Sequence, residues 1–250
     1  MNYDHIPQGD MPGDRIWIGE EQARKAETIL PALLEEMEQL EQAKTVVAVC
    51  GGSGVGKTGI ASLLAYMLGE NDHQAYVLSG DNYPRRIPRE NDAERLRVYE
   101  TEGEDGLRAY LGSPKEIDFD RLQQIVDDFK DGETPIALKR MGREPGEIWY
   151  EEIDFSETDV LIIEWTHGNS DYLSGVDIPI LLNSTPEETL EYRRSRNRDG
   201  GVDSPFTTMV LGMEQDMLRA QAHKAKIILT RQGELIDYEQ YEKLMGEGNA

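Results

Sequence analysis

Apolar residues run through this chain in two rhythms. Short unbroken runs occur at Thr45-Val-Val-Ala-Val-Cys50, Ala75-Tyr-Val-Leu-Ser79, Asp159-Val-Leu-Ile-Ile-Glu164, Ile178-Pro-Ile-Leu-Leu-Asn183 and Lys226-Ile-Ile-Leu-Thr230. Their length and β-branched content suit strands buried in a parallel sheet. Between them apolar positions recur at helical spacing. Ile60, Leu63, Leu64 and Met67 form one such stripe, Phe119, Leu122, Ile125, Val126 and Phe129 another, and Ile29, Leu33, Met37 and Leu40 a third. Strands alternating with helices predict an α/β fold, a mainly parallel sheet of about five strands flanked by helices.

Local signals set the boundaries. Pro31 interrupts the helical pattern of residues 20–43 and predicts two helices or a kink. Asp118 can cap the Phe119 helix and Gly132 stops it. Residues 91–112 read as a charged helix. Pro135 to Arg143 and Glu147 to Tyr150 read as a small rim hairpin. Pro179 predicts a strand start or an edge strand. Thr185-Pro-Glu-Glu188 is a capping box opening a helix that runs into Arg193-Arg-Ser-Arg-Asn-Arg198-Asp-Gly-Gly201, and residues 205–223 and 237–245 read as further helices. Residues 1–44 read as an irregular arm, pinned by Trp17 and Ile18, and helices packed on the core. Residues 45–250 read as the catalytic unit, a single domain overall.

Composition narrows the function. The chain has 250 residues, 38% of them hydrophobic, and no apolar run long enough to span a membrane. No basic and apolar leader is evident at Met1 to His5. A single cysteine, Cys50, leaves no internal disulfide and fits a reducing, cytoplasmic setting. The net charge of −23 argues against nucleic acid or an anionic membrane as partner. Clustered arginines in so acidic a chain therefore carry information.

The chemistry begins where the first apolar run ends. Gly51-Gly52-Ser53-Gly54-Val55-Gly56-Lys57-Thr58 is a G-x-x-x-x-G-K-T phosphate loop between a strand and a helix, the setting of a P-loop NTPase fold. Its glycines let backbone N–H groups converge on ATP phosphates, Lys57 reaches the β- and γ-phosphates, and the Thr58 hydroxyl suits Mg²⁺. Asp81 follows the second strand and is a candidate base for an acceptor hydroxyl. Arg85, Arg86 and Arg89 beside it suggest an anion to be held. Glu164 ends a buried strand in the Walker-B manner, where it can hold the metal or its water. Four arginines between 193 and 198 suggest a lid hinged at Gly200 and Gly201 that swings cations onto the transferring phosphate.

Taken in order, these segments resemble the phosphoribulokinase/uridine kinase family of P-loop kinases over roughly residues 45–231. The resemblance rests on Gly51 to Thr58, Gly80-Asp-Asn-Tyr-Pro-Arg85, Ile117-Asp-Phe-Asp-Arg121, Leu161-Ile-Ile-Glu-Trp-Thr-His167 and Arg194 to Asp199. It implies an ATP- and Mg²⁺-dependent kinase acting on a hydroxyl of a small metabolite. Asp81 is then the base, Glu164 with Thr58 the metal side, and Arg194 and Arg198 the lid cations. Tyr83, Arg85, Arg86, Arg140 and His167 are expected to face the acceptor, with a sugar phosphate or other anionic alcohol preferred. Trp165 replaces a glycine common in the family and is expected to narrow the pocket. Gly200-Gly-Val-Asp-Ser follows the lid instead of arginine-glycine, and the nucleoside-binding Tyr-Asp-Phe and histidine signature is absent around Lys139 to Arg143. These departures argue against uridine. The alternatives are a uridine/cytidine-type nucleoside kinase and a nucleotide-hydrolysing switch that binds a protein partner, although no guanine-reading motif is present. A small-molecule acceptor is the expected partner, and a homodimer is left open.

Overall fold

The computed structural model describes residues 6, 9–13, 18–196 and 204–247. Five strands form a parallel sheet, and a short antiparallel sixth extends it. These are β1 (Thr45–Gly51), β2 (Ala75–Ser79), β5 (Val160–Glu164), β6 (Ile178–Leu182), β7 (Ile227–Leu229) and β8 (Leu235–Ile236), in the order β2-β5-β1-β6-β7-β8. Strands β3 (Ile136–Met141) and β4 (Ile148–Ile153) form the separate hairpin. The apolar runs of β1, β5 and β6 are buried throughout, as a sheet covered on both faces requires.

Alternation along β1 divides the core. Val47 and Val49 join Ile162 and Ile180 beneath α1 (Glu20–Leu40) and α2 (Lys57–Gly69), where Ala26, Ile29, Leu33, Ile60 and Leu64 are buried. Val46, Leu161 and Ile163 turn to the opposite face and meet Phe119, Leu122, Val126 and Phe129 of α4 (Phe119–Lys130). Helix α3 (Pro88–Tyr110) carries a break at Gly103, where φ is 72°. Helices α5 (Leu190–Arg196), α6 (Pro205–Gln221) and α7 (Tyr238–Glu247) complete the order. Cys50 is buried against Leu181, Leu218 and Ile228, and burial pushes its thiol up to about 12.

Of the alternatives expected at two prolines, the structure removes two separate helices at Pro31 and an edge strand at Pro179. Pro31 neither breaks α1 nor splits it, because the helix is continuous from Glu20 to Leu40. Ile29 and Leu33, on either side, are fully buried, and their packing offsets the one lost backbone hydrogen bond. Pro179 does stand near the start of its strand, but β6 is interior, between β1 and β7. The Pro179 carbonyl accepts from the Lys226 N–H, one residue before β7 begins, so its missing N–H falls ahead of that ladder. Strand β8 has only two residues and no periodicity to betray it. Trp17, Arg198, Gly200 and Gly201 lie outside the described residues.

Candidate active site

The phosphate loop leaves β1 through backbone only glycine adopts easily. Gly54 and Gly56 have φ of 82° and 96°, and Gly56 is the residue before α2. A Cβ on Gly54 would lie 2.8 Å from Arg193 Cγ, and one on Gly51 2.8 Å from the Leu182 carbonyl. Lys57, the first residue of α2, donates from Nζ to the carbonyls of Gly51 and Gly52, each at 3.0 Å. A loop of this shape at a helix N-terminus offers N–H groups and a cation to a phosphate chain.

The sheet brings two carboxylates to the same end. Strand β5 lies between β1 and β2, so Glu164 pairs in register with Val49 on one side and Ser79 on the other. Its Oε2 accepts from Thr58 Oγ1 at 3.3 Å and its Oε1 from Ser79 Oγ at 2.9 Å. Burial holds the Glu164 carboxyl well above the usual carboxylate range, the negative charge of Asp81 adds to this, and Lys57 opposes it. Asp81 is exposed, in the 3-10 turn Gly80–Asn82 that follows β2. Desolvation likewise raises half-buried Glu214 of α6, with Glu116 and, least, Asp81 adding to it while Arg95 and Lys57 oppose. Asp81, Glu164, Glu214 and Lys57 thus share one electrostatic neighbourhood. The hydroxyl and carboxylate of Thr58 and Glu164 are hard oxygen donors of the kind Mg²⁺ takes alongside phosphate oxygens.

Three expected acceptor contacts are corrected. Tyr83 is fully buried in the core with Ile117 and Phe119, a packing residue. Arg140 is 4% exposed, and its guanidinium is committed to Asp10 at 2.9 Å, Glu151 at 2.9 Å and the Tyr76 hydroxyl at 2.9 Å. His167 is buried with its ring against Trp165, centroids 5.0 Å apart, and burial pushes its pKa down to about 4, leaving it neutral near pH 7. The fourth change concerns Trp165. It is 3% exposed and lies under Gly80 rather than in the pocket, so it supports the Asp81 turn from below.

Arg85 donates to the Pro114 carbonyl at 2.8 Å and lies 3.6 Å from Asp118. Arg86 donates to the Tyr110 hydroxyl at 3.2 Å and lies 3.8 Å from Glu94. In α5, Arg194 is exposed and paired with Glu191 at 2.7 Å, whereas Arg193 crosses Gly54 and donates to the Pro186 carbonyl at 2.8 Å. Sequence reasoning passed over a buried network beside these groups. Glu116 takes Arg95 Nε at 2.5 Å, Asn91 Nδ2 at 2.9 Å and the Gly112 N–H at 2.7 Å, and Arg95 reaches Glu214 at 3.6 Å. Nothing local distinguished Arg95 and Glu116 from the solvated charges around them in α3 and its sequel.

Strand order, phosphate loop and paired carboxylates together define a P-loop fold with a phosphate-binding site. Residues 46–199 match the Phosphoribulokinase / Uridine kinase family, and the chain belongs to that family. The expected fold and family are thereby borne out. A bifunctional alpha-galactosidase/sucrose kinase of Mediterraneibacter gnavus is 50% identical over 197 residues, which is 79% of this chain and 21% of that protein. The chain therefore spans about a fifth of that relative's length. Two solved structures share the fold. A D-glycerate 3-kinase from Cryptococcus neoformans has TM-score 0.56 and 12% identity, covering 88% of this chain and 99% of that one. A putative fructose transport system kinase from a Silicibacter species has TM-score 0.55 and 19% identity, covering 79% and 93%.

Proposed function

We propose that this chain is an ATP-dependent, Mg²⁺-requiring kinase that transfers the γ-phosphoryl group to a hydroxyl of a neutral sugar, with sucrose the first acceptor to test. The observation that carries this reading is the gathering of Lys57, Thr58, Glu164 and Asp81 at the carboxyl ends of the adjacent strands β1, β5 and β2. Bound Mg²⁺ would neutralise developing phosphate charge, with Thr58 and Glu164 on its side. Lys57 and the loop amides hold the phosphate chain. Asp81 orients the acceptor hydroxyl and takes its proton as the oxygen attacks.

A neutral acceptor is favoured over a sugar phosphate by the way the nearby cations are spent. Arg85, Arg86 and Arg140 are each engaged by protein oxygens, and Glu164 and Glu214 place carboxylates around Asp81. A phosphorylated acceptor would find these arginines already engaged, whereas a sugar hydroxyl needs only the Asp81 carboxylate as its acceptor. The sucrose kinase named among the relatives supports the same class.

Asp81→Asn tests the catalytic assignment. It is expected to keep nucleotide affinity within about twofold and to lower kcat by about two to four orders of magnitude, the usual worth of a general base. Near wild-type kcat in that variant would remove Asp81 from the role.

A further inference from the structure

The segment ahead of α1 reaches the acceptor side of the site through one carboxylate. The Asp10 side chain is 7% exposed. Its Oδ1 accepts the Ser79 N–H at 2.6 Å and the Asn82 Nδ2 group at 3.3 Å. Its Oδ2 accepts Arg140 Nη1 at 2.9 Å and the Tyr76 hydroxyl at 3.3 Å. Ser79 ends β2, which lies at the edge of the sheet. On its inner side Ser79 meets Glu164 of β5, and its amide turns outward to the arm. Asn82 ends the 3-10 turn, and its Oδ1 accepts the Met141 N–H of β3 at 3.0 Å.

Asp81 sits between these two anchored residues. The residue two before it and the residue after it are tied to the same carboxylate, while Trp165 fills the space behind Gly80. Gly9 continues the contact toward the phosphate side, since a Cβ placed on it would lie 3.5 Å from Thr58 Cγ2. Asp10 precedes residues 46–199, the span matched by the family.

We propose that Asp10 is a positioning residue for phosphoryl transfer, which clamps both sides of the Asp81 turn and fixes where the Asp81 carboxylate stands relative to Glu164 and the phosphate loop. The inference rests on the role proposed for Asp81. A residue held at both neighbours keeps its carboxylate within the narrow range that in-line attack requires, and small misplacements are costly in rate. The competing account is that Asp10 only covers the exposed edge of β2.

Asp10→Asn separates the two. The substitution keeps size and one acceptor oxygen, but it removes the charge facing Arg140. Steady-state rates are measured well below the variant's melting temperature, with the dissociation constant for nucleotide and the amide exchange of Ser79 read alongside. Positioning predicts a kcat loss of tenfold or more with nucleotide affinity within twofold, faster Ser79 exchange, and little further loss when Asp10→Asn is added to Asp81→Asn. A lowered melting temperature with kcat within twofold of wild type overturns the proposal. Should Asp10→Asn fail to fold, Asp10→Glu keeps the charge one methylene further out, and the same kcat criterion decides. Failure of the kinase reading shows in the wild-type protein, as ADP release that no sugar stimulates. Failure of the Asp10 inference shows only between variant and wild type.

Discussion

A Cβ at residue 80 would lie 2.0 Å from Trp165 Cγ. Glycine is required there by close approach, because the indole occupies the volume any side chain would need. Gly80→Ala is expected to destabilise the protein by about 1–3 kcal/mol, the usual cost of overpacking. The same change in a Trp165→Ala background should cost much less, and a thermal-unfolding double-mutant cycle measures the difference. Additive effects would contradict the contact. His167 carries a second prediction at this scale. Its folded pKa, about 4, lies below the ordinary histidine value, so between those values the unfolded chain binds the proton more readily. Stability therefore falls as pH drops through this window, by up to about 3 kcal/mol at 1.36 kcal/mol per unit. The imidazole faces Trp165 and Gly112, with Glu116, Arg95 and Lys57 acting on its charge. Melting temperatures of wild type and His167→Gln, compared from pH 7 to pH 4, should converge as the pH falls. A constant gap would show that the imidazole does not titrate as described.

At the scale of elements, α5 presents its two central arginines differently. Arg193 lies across the phosphate loop, and Arg194 turns outward to Glu191. Arg193→Met is therefore expected to lower kcat/KM for ATP by about tenfold or more, the scale of a charge-assisted hydrogen bond, and Arg194→Met by less. Initial rates over a range of ATP concentrations check the ordering, and its reversal would mean that the helix works in another orientation. The elements themselves were legible because their signals are local. A buried run, a glycine-rich turn and a stripe at helical spacing gave β1, the phosphate loop and α2, and Asp118 with Gly132 bracketed α4. Side-chain destinations were not local. Arg140 looked like a free cation on a hairpin, and its partner Asp10 lies 130 residues away. Tyr83 and His167 stood among motif residues but point into the core. The motif places the backbone, whereas tertiary packing decides which way each side chain turns. Arg193 was recognised as part of an arginine cluster, but which arginine crosses the loop depends on the helix's rotation.

On the scale of the whole molecule, a chain with net charge −23 suits a polyanionic ligand only where cations are gathered, and here they stand beside the carboxyl end of the interior strand β1. Lys57 lies in the phosphate loop and Arg193 crosses it, while Arg85, Arg86, Arg95 and Arg140 are engaged by the protein's own oxygens. Most of the described chain serves to bring three strand ends together, and the arm closes over the outermost of them through Asp10. Among the described residues no helix is long and apolar enough to cross a membrane. The most direct test is ADP release from Mg·ATP by the wild-type protein, measured with sucrose, other neutral sugars, sugar phosphates, uridine and cytidine, each beside an acceptor-free control. Strong stimulation by a neutral sugar, with a stoichiometric phosphorylated product and none from sugar phosphates, is the predicted result. Steady ADP release that no acceptor changes, or stimulation by a nucleoside or a sugar phosphate alone, would contradict it.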